Sequence, residues 1–395
     1  MEKYIKTFNT HSEYESFIQT DDFVKPNVSY CITDDYVHYN PFTYADIYLT
    51  TIALEDGTIS FNIWYSMGTD YITSVSYSTD NGSTWTTTNN TNGKLENLTI
   101  SVNVNEGDKV LWKGNAQQTG YLDSGNYVGS FFSSDCEFDV QGNVMSLLYG
   151  DNFKGENTLE YDGQFASLFC DYDGENECKV VNARNLSLPA TTLANQCYHS
   201  MFGGCTSLTI APELPATTLA DYCYHSMFWG CTSLTTAPST LPATTLANQC
   251  YYNMFWGCTS LTTAPELPAT TLANQCYWRM FRSCTSLTTA PQLPATTLAN
   301  QCYDSMFQGC TSLTTAPQLL AARLVTNCYN AIFYGCTSLN YIKAMFTTTP
   351  STAYTNYWVS SVAASGTFVK NSAATWNVTG DNGVPSGWTI ETASE

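Results

Sequence analysis

Between residues 188 and 346 the apolar positions recur with a period of 26 or 27. Leu214, Leu241, Leu267 and Leu293 follow one another at steps of 27, 26 and 26, and Leu188 and Leu319 extend the series by 26 on either side. The repeating unit reads LPATTLANQCYxxMFxGCTSLTTAPE. A unit this short cannot bury its own apolar face, so stacking of neighbours must supply the core. Within it LTTAP is short, threonine-rich and ends at proline, which predicts a brief strand. The proline and the Ala-Thr-Thr after it predict a turn. ANQCYxxMFxGC has helical spacing: Tyr198, Met201, Phe202 and Cys205 fall at i, i+3, i+4 and i+7 and predict one buried stripe. Gly204 is placed to end that helix.

Upstream the period changes to two. YLTTIAL, TISFNIWYS, YITSVSYS, LTISVNV, KVLWKG and FFSSDCEFDV alternate, with Glu55-Asp56-Gly57, Asp80-Asn81-Gly82 and Glu106-Gly107-Asp108 as turns between them. Residues 44–143 therefore predict an antiparallel β-sandwich of immunoglobulin-like type. Residues 1–43 form an N-terminal leader or anchor segment with one predicted hairpin in VSYCITDDYVHYNP. The repeat region is assigned to 144–346, its first coil degenerate, with Phe165, Leu168 and Phe169 in place of the usual stripe. Residues 347–395 decay into Tyr354, Trp358, Phe368, Trp376 and Trp388, a predicted aromatic cap for the last open coil.

The string Met-Phe-x-Gly-Cys-Thr-Ser-Leu returns nearly verbatim, with Ile332 replacing Met and Ser283 replacing Gly once each. In this the unit resembles the BspA-like leucine-rich repeats of bacterial surface proteins, the variety carrying MFxxCxxL, over a little under half of the chain. The resemblance implies a leucine-rich-repeat solenoid, and with the immunoglobulin-like β-sandwich read upstream from the alternating strands the expected class is α+β, the solenoid preceded by the sandwich. It also implies a binding surface and leaves the ligand open.

Charge changes the picture only at the front. Residues 1–182 hold 27 acidic against 8 basic residues, and residues 183–395 hold 7 against 6. An acidic front half repels phosphate backbones and the near-neutral repeats carry no basic stripe, so nucleic acid is excluded as a partner. No run approaches 18 apolar residues, and the first residues lack the apolar core of an export signal, so membrane insertion is not expected. Twelve of the 16 cysteines form six pairs spaced by eight, from Cys197/Cys205 to Cys328/Cys336. On a helix that spacing is roughly 12 Å of rise, too far for a bridge within a pair. They read as small, reduced core residues.

Chemistry-bearing motifs are few. Ser78-Thr-Asp80-Asn-Gly82-Ser-Thr84-Trp85 fits the Asp-box pattern of sialidase propellers, where it is a structural hairpin turn; one copy implies the turn alone. Asp171, Asp173, Glu175 and Glu177 cluster about Gly174 without the spacing of an EF-hand and read as a solvated loop, with calcium as the lesser reading. His11, His38, His199 and His225 enter no catalytic or zinc pattern. No catalytic residue, metal site or cofactor is assigned, and an enzyme is not expected.

Comparison of the six units isolates three freely changing columns: the two residues after Cys-Tyr and the one after Met-Phe. They read His199, Ser200, Gly203; His225, Ser226, Trp229; Tyr252, Asn253, Trp256; Trp278, Arg279, Arg282; Asp304, Ser305, Gln308; and Asn330, Ala331, Tyr334. On a helix they would lie opposite the buried stripe, facing solvent. Tryptophan, tyrosine, histidine and arginine beside a near-constant scaffold make the composition of a combining surface. The expected function is a non-enzymatic receptor-binding, host-attachment protein, with a host cell-surface protein or glycan as partner. The leader resembles N-terminal segments of structural proteins from phages of gut Bacteroides-type bacteria. A virion location follows, with tail- or head-fibre character and contacts to other virion proteins through the N-terminal region. A bacterial cell-surface adhesin of the BspA type and a structural decoration protein of the virion are the alternatives.

Overall fold

The computed structural model describes residues 4–8, 28–32, 44–63, 74–89, 98–115, 120–123, 126–170 and 179–393. It divides into two units, Met1–Thr43 and Tyr44–Glu395. In the first, β1 (Tyr4–Phe8) pairs in parallel with β2 (Val28–Ile32). The return strand of the predicted leader hairpin lies outside the described residues.

The second unit begins with β3 (Leu49–Ala53), β4 (Gly57–Ile63), β5 (Ser74–Ser78), β6 (Thr86–Asn89), β7 (Leu98–Val104), β8 (Lys109–Gly114), β9 (Gly120–Asp123), β10 (Asn126–Gly129), β11 (Phe131–Ser134) and β12 (Phe138–Asn143). One sheet runs β11-β4-β7; a larger one runs β12-β3-β8-β5-β6 and continues from β12 into β13 (Asn185–Ser187). Alternation decides which side chains face inward. Ile100, Val102 and Val104 of β7 are buried while Ser101 and Asn103 between them are exposed. The two sheets meet through Phe61 of β4, Trp112 of β8 and Phe132 of β11, whose rings lie 4.8–6.0 Å apart. Trp112 Nε1 is satisfied at depth by Thr51 Oγ1 at 3.1 Å.

Two features separate this arrangement from the expected class. Helix among the described residues amounts to residues 44–45, one turn at Ser146–Tyr149 and a 3-10 turn at Gly150–Asn152, none of it in the six repeating copies that follow. The strands of the described residues fall into five small sheets, none of which runs through the repeats as the sheet of a solenoid. The expected α+β class, a helix-bearing leucine-rich-repeat solenoid behind an immunoglobulin-like sandwich, is therefore overturned. The sandwich also departs from its expected form. Its larger sheet ends on a parallel strand, because β12 pairs with β13 from the first repeat coil.

The reason lies in where the amides of ANQCYxxMFxGC go. Around Met254, the N–H groups of Gln249, Tyr251, Asn253, Phe255 and Gly257 donate to the carbonyls of Asn274, Cys276, Trp278, Met280 and Arg282 in the next copy, at 2.9–3.1 Å. The alternate amides, of Tyr252, Met254, Trp256 and Cys258, turn back to the carbonyl three residues earlier. An α-helix would send every amide four residues back and leave none for a neighbour. Here each copy is a run of tight turns stitched sideways. The run is held by left-handed backbone at every fourth residue: Gln249 (φ 53°), Asn253 (φ 55°) and Gly257 (φ 80°). Asn and Gly take that conformation readily; Gln, and Arg279 and Ser283 in the next copy, take it at about 1 kcal/mol each, offset by the bonds between copies. The LTTAP segments likewise give isolated parallel bridges, such as Ile210 with Thr236 and Thr263 with Thr289, rather than strands.

Side chains follow the stitching. The Tyr rank from Tyr198 through Tyr329 stacks at 5.6–6.0 Å between ring centroids, with planes within 11° of parallel. The Phe rank from Phe169 through Phe333 stacks at 5.0–5.9 Å, and its first ring lies 5.4 Å from Phe132 of the sandwich. One hydrophobic core thus runs from the sheets into the repeats. Cys136, Cys170 and the twelve paired cysteines of the repeats are buried free thiols. The second of each pair donates its S–H to a phenylalanine carbonyl of the preceding copy, as Cys258 does to Phe228 at 3.1 Å and Cys336 to Phe307 at 3.0 Å.

At the far end β14 (Tyr341–Ala344), β15 (Thr367–Lys370) and β16 (Thr389–Thr392) form a parallel sheet. Trp358 is fully buried there against Tyr329, Phe333, Phe346 and Phe368, with its Nε1–H on the Gly383 carbonyl at 2.9 Å.

Candidate functional site

The three variable columns run along one flank of the repeats, but they do not lie on a helix and most are not free in solvent. In the first column His199 and Asp304 are buried, and His225, Tyr252, Trp278 and Asn330 are half-buried. The second is more enclosed still: Ser200, Ser226, Asn253 and Ser305 are buried, Arg279 and Ala331 half-buried. In the third, Gly203 is buried, Trp256, Arg282 and Gln308 are half-buried, and Trp229 and Tyr334 stand out at 45% and 41% exposure. The expected fully exposed face is thus corrected to one protruding column beside two packed ones. The cause is the turn geometry. The carbonyls of the first and third columns accept the bonds between copies, which draws successive residues of a column onto one another.

That proximity makes two files. His199 meets His225 at 4.3 Å between rings, His225 meets Tyr252 at 4.4 Å, and Tyr252 meets Trp278 at 4.9 Å, all edge to face. Beyond Trp278 the file turns polar: Asn330 donates to Asp304 Oδ2 at 3.0 Å, and Ser305 donates to Asp304 Oδ1 at 2.7 Å. In the outer file the Trp229 and Trp256 rings lie 6.2 Å apart. The Arg282 guanidinium sits 5.0 Å over Trp256 and that of Arg279 4.9 Å over Trp278. Burial, and then the neighbouring Arg279 charge, lower the Arg282 pKa. Four buried polar atoms here have no hydrogen-bond partner: His225 Nδ1, Asn253 Oδ1, Trp278 Nε1 and Arg279 Nε. The remaining site residue, Gln308, lies next to Arg282 in the outer column, and Tyr334 follows it.

Burial also sets the titration of the two histidines. It pushes His225 down to about 4, and it holds His199 well below the ordinary range, with the adjacent His225 adding to the effect. An unfolded histidine takes its proton near 6.5, whereas folded His225 refuses it until about 4, so stability is full above 6.5 and is lost as pH falls through that window. For His225 the loss between pH 7.5 and 5 is roughly 2 kcal/mol. Thermal melts at the two pH values are expected to differ, and His225→Tyr, the residue of the next copy, to narrow the gap. An equal gap in the variant would show that His225 is not the group responsible.

A second cluster was not legible in the sequence, since its members come from four separate segments. Asp151 accepts from Tyr48 at 2.6 Å and from Lys113 at 2.8 Å, and Lys113 Nζ lies 4.0 Å over the Trp85 ring. Burial first, then the bond to Asp151, push the Tyr48 hydroxyl up to about 12. This is a closed set of contacts that pins Trp85, at the end of the Asp-box turn, to the sheet. The turn itself is as expected. Asp80 accepts from Ser78 Oγ, Thr84 N and Thr84 Oγ1, and Gly82 (φ 85°) closes the hairpin between β5 and β6. Those bonds, the Thr84 hydroxyl foremost, hold the Asp80 carboxyl down at about 2.

The acidic cluster at 171–177 lies outside the described residues. Among the described residues no group of three His, Cys, Asp or Glu side chains is placed to hold a metal ion, and no helix is long and apolar enough to cross a membrane. No family model, curated protein or solved structure matches the chain.

Proposed function

We propose that the chain is a non-enzymatic attachment protein of a phage virion that binds a receptor on the host cell surface through the outer variable columns. The observation that carries this reading is the division of labour within each copy. The backbone of the variable residues makes the same bonds between copies at every junction, while their side chains change from glycine to tryptophan to arginine. Such a scaffold tolerates exchange at the surface without loss of the stack. The residues it presents, Trp229, Trp256, Arg279, Arg282 and Tyr334, are of the types that dominate binding energy at interfaces. The virion location rests on the resemblance of the leader to phage structural proteins.

Adsorption of the purified full chain to host cells tests the reading. Trp229→Ala combined with Trp256→Ala is expected to weaken adsorption at least tenfold, which takes only about 1.4 kcal/mol of lost contact. Folding should survive, because neither ring belongs to the stacked Tyr and Phe ranks. Changes at the exposed Thr236 and Thr263, on the threonine flank, are expected to leave adsorption near its starting value. Unchanged adsorption by a folded double Trp variant would remove the variable columns from the binding surface.

A further inference from the structure

The attachment reading leaves the receptor's chemistry open, and resting on that reading we propose that the outer columns bind an acidic saccharide, its ring on Trp229 and its anionic group between Arg279 and Arg282. Three observations converge. The first is charge. From residue 186 to residue 340 the only basic residues are Arg279, Arg282 and Arg323, so two of three sit three residues apart in one copy. Like charges held this close on a stack otherwise poor in charge are unfavourable until an anion joins them. No carboxylate pairs with either one among the described residues, where the ion pair is Lys113 with Asp151. Asp304, the one acid of the columns, feels the Arg279 charge but forms no ion pair with it, and its two oxygens accept from Ser305 and Asn330.

The second is shape. Trp229 is the most exposed of the column residues, and the residue below it in the column is Gly203, which offers no side chain to cover that side of the ring. Trp256 on the other side holds Arg282 above it at 5.0 Å. An indole face bare on one side, with a guanidinium fork over the next ring of the file, matches an acidic saccharide whose pyranose ring carries a carboxylate or sulfate. The C–H face of the sugar packs on the ring, and the anion takes two parallel N–H bonds. The third is unmet hydrogen bonding. His225 Nδ1, Asn253 Oδ1, Trp278 Nε1 and Arg279 Nε are buried without partners across the same three copies. Buried polar groups left unpaired are unfavourable and are few in native structures. A polyhydroxylated ligand toward which these part-buried side chains turn supplies acceptors and donors together, where an apolar partner would supply neither.

Titration calorimetry of the full chain with two matched pairs of probes tests the assignment: oligogalacturonate against its methyl ester, and dextran sulfate against dextran. Binding of at least one acidic probe, tenfold or more tighter than its neutral counterpart and weakened by salt, is expected; which pair responds tells carboxylate from sulfate. Arg279→Gln with Arg282→Gln should remove that preference, and Arg282→Lys, which keeps the charge but not the fork, should keep part of it, with thermal melts confirming a folded chain in each case. The proposal is overturned if neither acidic probe outbinds its neutral partner, or if the double Gln variant keeps the preference. Host-cell adsorption separates this outcome from failure of the attachment reading itself. Adsorption lost with the Trp229 and Trp256 changes but kept with the Arg changes would retain attachment and discard the acidic ligand.

Discussion

Cys258→Asp is expected to unfold the protein or bring its denaturation midpoint close to zero denaturant, while Cys258→Ser remains folded. Cys258 is fully buried, with its thiol on the Phe228 carbonyl at 3.1 Å and the thiols of the adjacent copies close enough to influence it electrostatically. Burial, and then Cys284 and Cys231, push that thiol far above its usual range, which is the behaviour of a site with nothing to solvate a negative charge. A carboxylate there costs several kcal/mol, and a carboxyl that stays neutral must still be larger than the thiol it replaces and leave one oxygen unbonded. The loss compares with the whole stability of a domain. Serine keeps a donor for the Phe228 carbonyl and should cost only about 1 kcal/mol. An Asp variant that denatures near the parent protein would show that the thiol rank is not sealed from water.

The sequence made the stack, its period and its buried residues legible, because those depend only on which positions are apolar. Tyr198, Met201, Phe202 and Cys205 are all fully buried as their spacing requires. It did not reveal that the segment bearing them is a run of turns. Spacing of i, i+3, i+4 and i+7 is shared by a helix and by turns that repeat every four residues, so periodicity alone cannot tell them apart. A local signal did exist. Gln196, Ser200 and Gly204 stand four apart, their counterparts include Asn253 and Gly257, and small or amide side chains at that interval mark left-handed backbone more than helix. The same misjudgement spread to the site. A helix would have turned all three variable columns to solvent, whereas the stitched turns bury His199, Asn253 and Asp304 and leave Trp229 and Tyr334 protruding. The link from sandwich to repeats, through β12 with β13 and Phe132 with Phe169, joins residues tens of positions apart and has no local sequence mark.

Alkaline pH is expected to unfold the chain in one steep transition, with the cysteines ionising only as the structure is lost. Ten thiols, from Cys197 to Cys336, are pushed up by burial; Cys328 reaches about 11, and Cys197, Cys276 and Cys336 about 12. Six tyrosines of the stacked rank are raised well above their usual value for the same cause. In the unfolded chain a thiol loses its proton near 8.5, so above that pH the folded state binds more protons than the unfolded one and stability falls as pH rises. Each such thiol contributes about 1.4 kcal/mol per pH unit between its unfolded and folded values, and ten acting together give on the order of 10 kcal/mol per pH unit. A domain stability of about 5–15 kcal/mol is then exhausted within one to two pH units of the onset. Far-ultraviolet dichroism and thiolate absorbance followed on the same samples are expected to change together, and on return to neutral pH under reductant both should recover. Thiols that titrate in the ordinary range while the dichroism holds steady would mean that water reaches them in the folded state, and the sealed stack would have to be abandoned.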